Sequence, residues 1–173
     1  MIAQLLMALV SLFATAKTSA PLEIFNREHE VIVAITTAVS GSDLQVTADF
    51  PRPVKSYLKE EYDNLAVEFH IDSDNNTKTG NQDSPDARRG AEFIVTAVAR
   101  VPRAGVKAEE VIVSRNSDNM VVKTNARIRV DGKRMIVSVP LSDLKLKAGQ
   151  KARIAVVADG MVAETTVTLS RPR

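Results

Sequence analysis

The chain has no cysteine and no tryptophan, and it carries only two histidines and two tyrosines among its 173 residues. The absence of cysteine removes disulfides, thiolate metal sites and thiol nucleophiles together, so any staple must be the core or a cation held by oxygen. With only His29 and His70 available, and no serine in a nucleophile-elbow context, the inventory for acid-base or covalent catalysis is thin, and the chain reads as a non-enzyme. Charge of one sign is also scarce. Lysine and arginine number 23 against 21 acidic residues, a formal +2, which lacks the basic excess of a nucleic-acid binder. Aromatics make up 4%, leaving few flat rings for stacking on a sugar.

What is present is apolar alternation. Hydrophobic residues reach 45%, enough for one domain with a full core. Residues 2 to 16 form an apolar run ending in small residues, read as a signal peptide over 1–20 cleaved after Ala20, or earlier after Ala16. The run is short for a stable membrane span. The remainder, 21–173, is expected to be a single domain, secreted or periplasmic.

Strand signals then repeat along the chain. They fall at Val31–Val39, Leu44–Phe50, Leu65–Ile71, Ala91–Val101, Glu110–Ser114, Met120–Thr124, Ala126–Val130, Arg134–Val139, Lys151–Ala158 and Val162–Leu169. Asp131-Gly132 and Asp159-Gly160 read as type I′ hairpin turns. Val54–Asn64 reads as a helical turn or crossover, and Pro140–Leu144 as a small helical insertion. The expected fold is all-β: an antiparallel sandwich, jelly-roll or immunoglobulin-like, of about eight or more strands.

The most distinctive stretch is the polar connection from Asp72 to Glu92. Asp72, Asp74 and Asn76 alternate, which aims several hard oxygens at one point, as a calcium loop does. Asp83 and Asp86 add carboxylates further along, Lys78 offers a backbone carbonyl, and Glu92 stands across the hairpin mouth. The alternative is a plain polar turn, because Asp, Asn, Gly and Ser favour turns on their own account. An EF-hand is excluded. Thr77 stands where that loop requires glycine, Asp83 where it requires glutamate, and both flanks alternate as strands. Along Leu65–Asp72 the odd positions face the core, while Glu68, His70 and Asp72 face away, which is read as a solvated face.

The motif Asp72-x-Asp-Asn-Asn-x-x-Thr-Gly80, followed by Gly90-Ala-Glu-Phe-Ile94, Val137-Ser-Val-Pro-Leu-Ser-Asp-Leu144 and Lys147-Ala-Gly-Gln150, resembles the β-sandwich domains related to family-nine carbohydrate-binding modules and DOMON-like domains. The resemblance implies a structural calcium at Asp72, Asp74, Asn76 and Glu92, with carbohydrate or haem as a ligand. For carbohydrate, Tyr57 and Tyr62 are the candidate platform. For haem, the axial candidates are His29 or His70 with Met120, Met135 or Met161. An interaction or scaffolding domain without a small-molecule ligand is the remaining class.

Overall fold

The computed structural model describes residues 22–26, 31–60, 64–147, 149–158 and 161–169; residues 1–20, where a signal peptide is expected, lie outside them. Strands β1 (Leu22–Asn26), β2 (Val31–Ser40) and β3 (Asp43–Asp49) precede a short helix α1 (Val54–Glu60). Then come β4 (Asn64–Asp72), β5 (Phe93–Arg100), β6 (Glu109–Arg115), β7 (Arg127–Asp131), β8 (Arg134–Pro140), β9 (Lys151–Ala158) and β10 (Met161–Thr168). All pairings are antiparallel and form two five-stranded sheets, β1-β2-β3-β8-β7 and β10-β9-β4-β5-β6. The all-β sandwich expected from alternation is what the chain forms.

Alternation builds the core directly. In the first sheet Leu44, Val46 and Ala48 face inward opposite Val139, Val137 and Met135. In the second, Phe69 lies between Val95 on β5 and Val156 on β9, with Val113 next along the row. All of these are buried, and each large apolar side chain removed from water contributes about 1.5–3 kcal/mol. On α1, Val54, Tyr57 and Leu58 follow helical spacing and turn one face into the same core.

Three local expectations change. The two-residue loop joining β7 to β8 is Gly132–Lys133, between the paired Asp131 and Arg134. Only Gly132 takes positive φ there, at 59°, as in a turn with glycine first rather than type I′. The stretch Met120–Thr124 forms no strand, because only Val121 makes a bridge, to Ser114. Of the stretch Pro140–Leu144, Pro140 ends β8 and the rest is a run of hydrogen-bonded turns, such as Leu144 N–H to Leu141 O at 3.2 Å, and not a helix. Asp159-Gly160 lies outside the described residues, although the register Ala158 to Met161 of the strands it joins is antiparallel.

Candidate metal centre

The centre forms where β4 leaves the sheet and the chain returns twenty residues later as β5. Asp72, Asp74 and Glu92 each offer a carboxylate oxygen, and these oxygens lie within 4.8 Å of one another. Asn76 N–H is shared by Asp72 Oδ1 at 2.9 Å and Asp74 Oδ1 at 3.0 Å. Glu92 Oε2 accepts the Ser73 N–H at 2.7 Å and the Ser73 hydroxyl at 3.0 Å, which leaves Oε1 turned toward the loop.

Thr79 stands in the middle of this group. Its Oγ1 lies 3.0 and 3.1 Å from the two oxygens of Asp74, 3.0 Å from Glu92 Oε1 and 2.8 Å from the carbonyl of Asn76. A hydroxyl has one proton to donate, so it can satisfy one of these four acceptors. The motif contains Thr79 but does not mark it as a ligand, since an uncharged hydroxyl stands out only once its neighbours are known.

The other candidates are placed as follows. Asn76 enters through its backbone carbonyl, while its side-chain oxygen accepts the Lys78 N–H at 3.1 Å; the amide ligand implied by the motif is therefore used to close a turn. Lys78 is exposed and takes part through that N–H. Asp83 is exposed and lines an open polar groove with Arg88 and Asn116. Asp86 pairs with Arg88, Nη2 to Oδ2 at 2.7 Å, and this pairing holds its carboxyl below the usual range. Neither Asp83 nor Asp86 belongs to the group of three.

The outer face of β4 is not solvated at this end. His70 is 6% exposed and Asp72 1%, because the long connection folds back over them. Burial lowers the His70 pKa, against an opposing contribution from Glu68, whose Oε2 lies 3.4 Å from Nε2. His70 Nδ1 is buried without a hydrogen-bond partner. Burial raises the Asp72 pKa, opposed by the Asn76 N–H and by Arg153. Arg153, on β9, reaches Asp72 Oδ2 from Nη2 at 3.1 Å and from Nε at 3.2 Å. Asp72 therefore has a cationic partner, a guanidinium supplied 81 residues downstream.

The tyrosine platform is also corrected. Tyr57 is 2% exposed, with its ring 6.0 Å from that of Phe50 and the Arg52 guanidinium 4.1 Å above it. A ring so enclosed offers no face to a sugar; Tyr62 lies outside the described residues. Of the axial haem candidates, Met135 is in the inter-sheet core, His70 is on the outer face of β4, and Met120 is exposed between β6 and β7. His29 lies outside the described residues, and Met161 is placed only as the first residue of β10. Among the described residues no helix is long and apolar enough to cross a membrane. Comparison with family models, with curated proteins and with solved structures finds no match to this chain.

Proposed function

We propose that the Asp72–Glu92 connection is a structural calcium site in an exported, non-catalytic β-sandwich domain. The carrying observation is the convergence of two carboxylates on Thr79 Oγ1: Asp74 Oδ1 takes the Asn76 N–H and the Asn76 carbonyl takes the Thr79 N–H, so one hydroxyl proton is left for both Asp74 Oδ2 and Glu92 Oε1. Oxygens so arranged repel, by about 1 kcal/mol per charged pair in water and about 4 kcal/mol at an effective dielectric constant of 20. One cation relieves them all. Calcium ligands lie about 2.3–2.6 Å from the ion, so oxygens on opposite sides of it are about 5 Å apart, a span that accommodates the 4.8 Å grouping. Mixed carboxylate, carbonyl and hydroxyl oxygens suit calcium better than magnesium, which retains several waters and takes one or two carboxylates. Asp72, Asp74, Glu92, the Asn76 carbonyl and the Thr79 hydroxyl would hold the ion.

The apolar run near the N-terminus supports export, and a chain with no cysteine leaves stapling to the core or to a cation held by oxygen. The motif resemblance supports a binding role, with carbohydrate as the ligand class; haem is the second reading, and it lacks an axial pair among His70, Met120 and Met135. The test is calorimetry and thermal melting with chelator and with excess calcium. A ligand at a hundred times its Kd stabilises the folded state by about 2.7 kcal/mol, so calcium should raise the melting temperature, and Asp74→Ala should abolish that rise while the variant still folds. Superimposable melting curves without binding heat would leave the loop a plain turn.

A further inference from the structure

The acidic loop contains a counter-charge of the chain's own. A carboxylate as buried as Asp72 is costly unless it is paired, and its Oδ2 receives both Nε and Nη2 of Arg153. Arg153 is itself largely enclosed, with its side chain 14% exposed. The same Nη2 donates to the carbonyl of Arg89, near the far end of the connection. Just before β9, the Gln150 amide donates to the carbonyl of Ser73, at the near end. The start of β9 therefore grips both ends of the loop. Gly90 makes room for this: a Cβ there would lie 3.0 Å from Arg153 Nη2, 3.0 Å from Asp72 Oδ2 and 2.7 Å from Thr77 Cα.

We propose that Arg153 is a built-in counter-ion that latches the 73–90 connection over the outer face of β4 when no cation is bound. Of these cross-links, the Gln150 contact is a neutral hydrogen bond, whereas Arg153 uses charged N–H donors, the stronger kind, to tie Asp72, its register partner on β4, to the Arg89 carbonyl in the connection. Removing the guanidinium leaves Asp72 buried and unpaired, so the connection opens to hydrate it. The latch stands on the contacts of Arg153 with Asp72 and with the Arg89 carbonyl, and needs no ion. Its replacement by calcium, which would neutralise the same carboxylate, rests on the calcium reading above.

The experiment is hydrogen exchange of backbone amides in the full chain, with chelator and with excess calcium. The amides of Asn81, Gly90 and Glu92, bonded to Ala91 O, Asn81 O and Ile71 O, report on the connection, and those of β5 report on the sheet. In chelator, Arg153→Met, which keeps the apolar stem, should speed exchange at the three reporters at least about tenfold, equivalent to about 1.4 kcal/mol, with β5 unchanged. Adding Asp72→Asn to that variant should recover part of the protection, because the unpaired charge is gone, and Arg153→Lys should lose less than Arg153→Met. Calcium should restore protection to Arg153→Met. Reporters in Arg153→Met that exchange as slowly as in the natural sequence would overturn the latch. Wild-type protein without calcium heat, combined with a tenfold acceleration in the variant, would sink the calcium reading and leave the latch standing. Calcium heat in the wild type without restored protection in the variant would overturn the exchange of counter-ions.

Discussion

His70 illustrates at the scale of one residue how a covering loop changes chemistry that alternation alone assigns to solvent. Its pKa is lowered chiefly by burial, so in the acidic range the unfolded chain binds a proton that the folded chain resists. Stability from this residue is then complete above the ordinary histidine value of about 6.5 and is lost as pH falls below it. Thermal melting at neutral pH and near pH 5 should show a drop in the natural sequence that is smaller in His70→Gln; equal drops would remove His70 as the cause. The carboxylates Asp72, Asp74 and Glu92 were legible in the sequence because charge and spacing mark them. Thr79 and Arg153 were not, one because a hydroxyl carries no charge, the other because its partner is distant in sequence. Tyr57 shows the limit of position as a guide: its nearness to Tyr62 before the hairpin suggests a ligand platform, while its spacing from Val54 and Leu58 puts it on the buried face of α1. Tyr57→Ala should cost about 3–5 kcal/mol, the range for emptying a buried aromatic site, and lower the melting temperature by roughly 6–20 °C.

Among the elements, strands were read from the sequence more reliably than the segments that join them. Period-two alternation locates β3, β4, β5 and β8 because each has one face in the core, whereas turns depend on backbone angles that several sequences can supply. Gly80 is the clearest case within the connection. It has φ of 55°, and a Cβ would meet the Gly90 carbonyl oxygen at 2.3 Å. Gly80→Ala should therefore combine backbone strain of about 1–3 kcal/mol with a steric clash that displaces the strand-return segment, and calorimetry should show calcium binding weakened or lost. Lys78→Ala, at an exposed side chain on the same connection, should stay within about 0.5 kcal/mol of the natural sequence in melting experiments.

For the whole molecule, the fold class followed from alternation, since two sheets each burying one face are the economical way to cover many amphipathic strands. The sheet order was not readable, because pairing partners are chosen in three dimensions. That order has a temporal consequence. β4, central in its sheet, pairs on one side with β5 and on the other with β9, whose residues arrive only after about half the chain has intervened. β-sandwiches that need such distant pairings fold slowly, in milliseconds to seconds. A chain growing or threading from its N-terminus can form the β4–β5 hairpin early, but Arg153 and Gln150 reach the Asp72 connection only when the last quarter has emerged. Until then the Asp72 carboxylate waits for its guanidinium, and that partner arrives with β9, when only β10 is still to be added.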